Sequence, residues 1–358
     1  MPLNSENVWV EFILKEWLLL ASACGLVLTS VYAGQLPSFS LPELQVLLLL
    51  FVLFVVVRGL ENSGLILWIS RKLEQGRLIP LKLTLATFFL SMIVTNDVVL
   101  TVIVPLTLLL NTDRKDLLVI LEALAANAGS ALTPIGNPQN LFIYWYYGVA
   151  PGEFVTAIAA FSCVYLLLLV AASLAVRTRG VPGNPPVAGE VSNFGYVYLL
   201  LLVVIVLAVL HVLPVASVFL AIAYVLVFDR RSLRVDYALL LSFLCFFGLA
   251  DNIHLLVAPQ LQHAGDVFLA SAVTSQLISN VPATLLFAKF TTQWQALLWG
   301  ASVGGFGSLV GSLANLIAYR IYIVNNRGGG AGVFTIRFFA FGYLAFFIGV
   351  GLYFVFAA

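Results

Sequence analysis

Two short polar runs interrupt an otherwise apolar chain, and each places oxygen and amide groups just before a helical segment. Ser91-Met-Ile-Val-Thr-Asn96, followed by Asp97, is echoed by Ser275-Gln-Leu-Ile-Ser-Asn280, followed by Val281. Thr95, Asn96, Asp97, Ser279 and Asn280 supply capping side chains, and Pro282 falls where a first helical turn tolerates proline. Helix starts of this kind aim N–H groups of partial positive charge at a ligand and attract anions. Carbonyls freed from a helix, together with Asn, Ser and Thr oxygens, suit Na⁺. A second pair of runs breaks longer apolar stretches. Ser130-Ala-Leu-Thr-Pro134-Ile-Gly136-Asn137-Pro138-Gln-Asn140 cannot stay helical through two prolines, while Gly304, Gly305, Gly307 and Gly311 loosen the stretch that leads through Ser312 to Asn315. The candidate substrate contacts are Thr95, Asn96, Asp97, Asn137, Ser279, Asn280 and Asn315. The candidate cation contacts are Ser91, Asn96, Asp97, Gly136, Asn137, Ser279, Asn280, Gly311 and Ser312.

The elements that must position these groups are membrane helices. Charged residues make up 9% of the 358 and apolar types 62%, against roughly 25% and 45–50% in soluble domains, and the mean hydropathy is +1.07. That excludes a soluble protein. A net charge of +1 without a basic block excludes a nucleic-acid partner. Cys24, Cys163 and Cys245 lie far apart without metal-ligand spacing, so neither a disulfide framework nor a zinc site is expected. Uncharged runs predict nine crossings near 17–34, 44–70, 117–146, 153–176, 195–213, 215–229, 237–257, 293–324 and 333–356, with the first span retained. Segments 79–110 and 266–290 fit no crossing. Arms of about 14 residues reach only ~21 Å of a ~30 Å hydrocarbon core, so each segment should enter and leave on one side as a re-entrant hairpin.

The expected fold is an all-α polytopic membrane protein built as an inverted-topology repeat. Residues 1–179 form the first repeat, with hairpin 79–110 and broken helix 117–146; 180–194 is a Pro/Gly-rich linker. Residues 195–358 add one span and the second repeat, with hairpin 266–290 and broken helix 293–324. Order and offsets agree between halves, and Glu61-Asn62 parallels Asp251-Asn252. An N-terminus in the cytoplasm and a C-terminus outside put most Lys and Arg on the inner face, as the positive-inside rule requires. Paired interrupted segments in inverted repeats are the sequence sign of a secondary transporter with a midplane site.

Three stretches, TNDVVLTVIVPL (95–106), AANAGSALTPIGNPQNLFIY (125–144) and SNVPATLLF (279–287), resemble the ion transporter superfamily. It contains arsenite permeases, citrate and divalent anion/sodium symporters and related sodium/proton antiporters. In its sodium-coupled dicarboxylate members each hairpin tip reads Ser-Asn-Thr and, with the neighbouring helix break, binds one Na⁺ and touches substrate. Here Asn96 and Asn280 keep that Asn, while Asp97 and Val281 depart from the pattern; an acidic first tip is closer to the arsenite permease branch. The resemblance implies an elevator-like motion and a homodimer in the plasma (inner) membrane.

Buried ionisable groups need compensation in lipid. Asp97 could ligate a cation, carry a proton or cap its helix. Arg58 and Glu61 are read as an ion pair at i, i+3. Asp251 and His254 share that spacing, more as a structural hydrogen bond than as a proton relay. Arg320 could meet an anion or snorkel to the interface. Tyr144, Trp145, Tyr146 and Tyr147 read as an interfacial aromatic belt and Phe-rich 338–356 as lipid-facing. The function expected is secondary active transport of a small anion, a di- or tricarboxylate or an inorganic oxyanion such as arsenite or sulfate. Na⁺ or H⁺ is the coupling ion, and no cofactor is expected. Import of a dianion costs about 4.6 kcal/mol per 100 mV, at ~2.3 per charge, so import needs co-transported cations and export runs downhill. A Na⁺/H⁺ antiporter is the alternative, and a passive channel a third. Scattered His, no GxSxG and no P-loop argue against an enzyme or an ATP-driven pump.

Overall fold

The computed structural model describes residues 16–68, 78–110, 113–176, 192, 194–256, 262–325 and 330–357. The described residues form helices without a strand. The first half contains α1 (Trp17–Ala33), α2 (Leu41–Asn62), α3 (Ile79–Ser91), α4 (Asn96–Leu109), α5 (Lys115–Ser130), α6 (Pro138–Tyr146) and α7 (Pro151–Ala175). The second contains α8 (Phe194–Val209), a 3₁₀ turn at Val215–Val218, α9 (Phe219–Phe228), α10 (Tyr237–Leu256), α11 (Ala264–Ile278), α12 (Asn280–Ala288), α13 (Trp294–Gly304), α14 (Leu313–Asn325) and α15 (Ala331–Phe356). Segment 180–191 of the expected linker lies outside the described residues.

Helices Leu41–Asn62, Pro151–Ala175, Tyr237–Leu255 and Ala331–Phe356 are long and apolar enough to cross a membrane, which makes the chain a polytopic membrane protein. The expected spans at 17–34, 195–213 and 215–229 contain shorter helices. α1 has 17 residues, α8 has 16 and α9 has ten, the last extended by the 3₁₀ turn that follows Pro214. The two segments read as hairpins each form a pair of short helices. α3 and α4 have 13 and 14 residues, α11 and α12 have 15 and nine; at ~1.5 Å per residue none of them spans ~30 Å.

The first hairpin arm of each half packs on the first part of that half's broken helix, α3 on α5 and α11 on α13. Close approach requires glycine at equivalent places. A Cβ on Gly129 would sit 2.1 Å from the Phe88 carbonyl oxygen and 2.6 Å from Ser91 Oγ, and one on Gly304 would sit 2.5 Å from Ser275 Cβ. The second arms cross over, so that α4 lies against α14 and α12 against α6. Each broken helix therefore meets both hairpins. Leu100, Val104, Val119, Ile120, Ala314, Ala318, Phe334 and Phe338 seal the contact among α4, α5, α14 and α15.

The aromatic run departs from the expected belt. Tyr144 is fully buried, Trp145 stacks on His211 at 4.2 Å, and the Tyr147 hydroxyl donates to the carbonyls of Ala288 and Thr291. These side chains join α6 to its neighbours because α6, as the second part of a broken helix, is surrounded by protein. Phe-rich α15 is divided: Phe338, Phe346 and Tyr353 are buried while Phe347 and Phe354 are exposed.

Candidate functional site

Each helix break is held open by one asparagine that satisfies the backbone the break exposes. In the first half, Asn140 Nδ2 donates to the carbonyls of Ser130 at 2.9 Å, Ala131 at 3.1 Å and Thr133 at 3.0 Å. In the second, Asn315 Nδ2 donates to those of Gly305 at 2.9 Å and Ser308 at 3.0 Å, again ten and seven residues back. Without these bonds the carbonyls would be stranded at membrane depth. A hydroxyl in each break then ties it to the first hairpin arm. Thr133 Oγ1 donates to the Met92 carbonyl at 2.5 Å and Ser308 Oγ to that of Gln276 at 3.0 Å.

The hairpin tips dock on the breaks by the same rule. The Asn96 N–H donates to the Gly136 carbonyl at 3.3 Å, and the Asn280 N–H to the Gly311 carbonyl at 3.0 Å. Both glycines are required by space, since a Cβ on Gly136 would lie 2.2 Å from the Ser130 carbonyl oxygen and one on Gly311 2.7 Å from that of Gly304. Neither Thr95 nor Ser279 makes the expected capping bond; the first N–H of each second arm goes to a break carbonyl, and Asn96 Oδ1 accepts from the Asp97 N–H at 2.9 Å. Ser279 turns the second tip with φ +76°, a conformation uncommon for a residue with a side chain.

Both tips and both breaks face one cavity of about 150 Å³, which Asn96, Asp97, Pro138, Gln139, Ser279, Asn280, Ser312 and Arg320 line together with Glu16, Asp236 and apolar residues of α1 and α10. Of the residues singled out by sequence, Asn96, Asp97, Ser279, Asn280 and Ser312 line this space. Gly136 and Gly311 stand behind the tips as carbonyl acceptors. Asn137, buried, donates from Nδ2 to Ser130 Oγ at 2.8 Å, and Thr95 is buried at the first tip next to Asn96 in sequence. Ser91 is elsewhere, its Oγ donating to the Phe88 carbonyl at 2.8 Å under Gly129. Asn315 serves the second break, as described above.

Sequence reasoning missed two groups of consequence. Asn127 of α5 accepts from Asn96 Nδ2 at 3.1 Å and donates to Asn315 Oδ1 at 2.8 Å, so one amide joins the first tip to the second break. Its position inside the quoted AANAGS stretch was visible, but nothing in the spacing marked its reach across halves. Gln139 is 1% exposed, lines the cavity, and its Nε2 has no hydrogen-bond partner among the described residues. On the other side of the first break the orphans are acceptors: Asn137 Oδ1 and Asn140 Oδ1 are buried without partners. Among the described residues, the one unpaired amide donor therefore belongs to a residue of the cavity lining, while the two unpaired amide oxygens belong to residues outside it.

Several other ionisable residues have structural partners. Arg58 binds Glu61 at 2.8 Å, as expected, and Glu61 also accepts from Thr101 Oγ1 at 3.1 Å. Asp251 does not bond His254. It pairs with Lys289 at 2.7 Å, and Lys289 also meets the fully buried Glu43 at 2.5 Å, while the His254 ring packs against Phe290. Sequence could not find this cluster because its members come from α10, the end of α12 and α2. Glu122 is fully buried and bonded to Thr107 Oγ1 at 2.5 Å, away from the cavity lining.

Over residues 9–304 the chain matches the family described as Citrate transporter, CitMHS. It is 33% identical over 302 residues to an uncharacterized transporter of Methanocaldococcus jannaschii, MJ0456, with 81% of this chain and 84% of that protein covered. Inner membrane protein YbiR of Escherichia coli is 34% identical over 290 residues, covering 75% of this chain and 77% of YbiR. A shorter likeness, 38% over 109 residues, joins 28% of this chain to 22% of Silicon efflux transporter LSI3 of Oryza sativa subsp. japonica.

Proposed function

The chain belongs to the citrate transporter family and is a membrane transporter, and we propose that it carries a small anion through the central cavity by alternating access, coupled to Na⁺ or H⁺. One observation carries this reading: the buried, unpaired Gln139 amide shares a cavity with Asn96, Asn280 and the Arg320 guanidinium. Arg320 forms no ion pair among the described residues. A buried donor left without an acceptor costs about 1–3 kcal/mol, which a bound oxyanion or carboxylate would offset. In the same reading Na⁺ sits beside the first break, where the buried oxygens Asn137 Oδ1 and Asn140 Oδ1 have no hydrogen-bond partner. The family's citrate and the silicon of the rice relative's name bracket the cargo between an organic acid and an inorganic solute.

In this reading the N-terminus is cytoplasmic and the C-terminus outside, in the plasma (inner) membrane, and the protein is a homodimer. The cavity lining includes Arg320 together with Glu16 and Asp236, which stand at the starts of α1 and α10; with the N-terminus cytoplasmic both starts lie at the inner face, and in this reading the cavity is inward-facing. Transport moves the hairpins and broken helices as a unit against α2, α8 and α10.

Asp97, which lines the cavity at the first tip, favours a second reading, a Na⁺/H⁺ antiporter in which this carboxyl exchanges the two ions. Thermal melts of the purified protein separate the two, because a ligand that binds the folded state raises its apparent stability. Citrate, succinate, sulfate, arsenite and phosphate are each added with Na⁺, Li⁺ or K⁺. The anion reading expects one anion to stabilise the protein, more strongly with Na⁺ or at low pH, and expects Gln139→Ala and Arg320→Gln to abolish that shift. A shift by Na⁺ or Li⁺ alone, pH-dependent and removed by Asp97→Asn, would replace it with the antiporter.

A further inference from the structure

A second cavity, of about 750 Å³, lies apart from the transport site and shares no lining residue with it. It forms where the end of α2, the start of α8 and the end of α9 converge, and its lining includes Arg58, Arg230, Arg231 and Arg234. The packing that creates it is tight: a Cβ on Gly59 of α2 would overlap the Tyr198 ring of α8 at 2.1 Å. Tyr198 and Ser232 both donate to Asp229 Oδ2, at 2.7 and 2.6 Å. Burial raises the Asp229 carboxyl, but these bonds and nearby Arg231 outweigh it and hold the group below the usual carboxylate range. The acid is thus committed to fixing the 3₁₀ turn at Arg230–Leu233. Arg58 is matched by Glu61, whereas Arg230, Arg231 and Arg234 form no ion pair within 4 Å among the described residues.

We propose that this cavity binds the phosphate of an anionic phospholipid headgroup. Three guanidinium groups without ion-pair partners, together with the hydroxyl of Ser192 in the same lining, match the oxygens of a phosphodiester. The cavity sits at helix ends, which is the depth of the headgroups. Its rim supports a lipid over a free ion, since Phe194 and Phe228 line it and are 50% and 65% exposed, offering an apolar wall for acyl chains. By the positive-inside rule this is the cytoplasmic face, where basic pockets between membrane helices hold anionic headgroups.

The test is native mass spectrometry and thermal melting of the detergent-purified protein with added phosphatidylglycerol, phosphatidylcholine or inorganic phosphate. Phosphatidylglycerol should remain bound and raise the melting temperature, and Arg231→Ala with Arg234→Ala should weaken its binding by about tenfold or more. Both arginines are exposed, so the lipid-free melt of the double variant should match the parent and report intact folding. Equal retention of phosphatidylglycerol by the double variant, or equal stabilisation by phosphatidylcholine, overturns the proposal. Stabilisation by inorganic phosphate that the double variant abolishes overturns the lipid assignment in favour of a free-phosphate site. The outcome is independent of the transport reading, whose variants alter a different cavity.

Discussion

The two halves solve one problem with different residues. Both open a helix at depth, satisfy the break with one asparagine, tie it to a hairpin arm through a hydroxyl and dock the hairpin tip on a glycine carbonyl. They differ in how firmly the parts are held. The first break contains Pro134 and Pro138, whose missing N–H groups leave fewer donors to satisfy. The second has only glycines to open it, and Gln276 staples it: its Oε1 accepts from the Ser308 N–H at 2.8 Å and its Nε2 donates to the Gly304 carbonyl at 2.9 Å. The equivalent of Gln276 in the first half is Met92, which can do neither. Anchoring to the surrounding helices differs too. The first hairpin reaches α2 through Thr101 and Glu61, the second through Lys289, which pairs with the fully buried Glu43 and the partly buried Asp251. Flexible glycine needs an added clamp; rigid proline does not.

Removing the strongest anchor should separate the halves most. Lys289→Met leaves Glu43 and Asp251 without their cation, a loss of about 3–5 kcal/mol where a buried pair is broken; the melting temperature should fall sharply, and Glu43→Gln in the same chain should recover part of it. The glycine contacts come next. Gly129→Ala and Gly304→Ala should each cost about 1–3 kcal/mol from overpacking. Adding Ser275→Gly should restore the second variant, whose obstacle is a side chain. Ser91→Gly should leave the first unrescued, because the Phe88 carbonyl remains. Melts of the singles and doubles would show whether this asymmetry is real.

Smaller effects probe the clamp and the weaker anchor. Gln276→Met strands the Ser308 N–H and should cost about 1–2 kcal/mol, whereas Met92→Gln should change little; equal losses would mean that the breaks do not differ in their need for support. Thr101→Val removes the hydroxyl that bonds Glu61 at an exposed position and should cost under about 1 kcal/mol, readable as a small melting shift beside that of Lys289→Met.

Much of this plan was legible in the chain. The ends of the hairpin arms and the positions of both breaks follow from proline, glycine and polar residues at depth, and the match of Gly136 and Asn140 to Gly311 and Asn315 reappears as matched hydrogen bonds. The environment of each face was not legible. Tyr144 and Trp145 have the composition of an interfacial belt and are instead packed inside, and Asp251 lies at helical spacing from His254 yet bonds a lysine from another helix. Hydropathy says that a segment is in the membrane, but not which residues meet protein and which meet lipid. Nor could it reveal the free Gln139 amide, since partner count is a property of the assembled fold.

Asn127 gives the asymmetry a thermodynamic consequence. It holds the first tip through Asn96 and the second break through Asn315, so a ligand that reorients either amide must disturb the bond to the other. In the proposed transport reading, occupancy of one half-site then changes the affinity of the other by a coupling free energy that is equal in both directions. Cation and anion titrations would be cooperative through a single carboxamide, and Asn127→Ala would leave two independent sites.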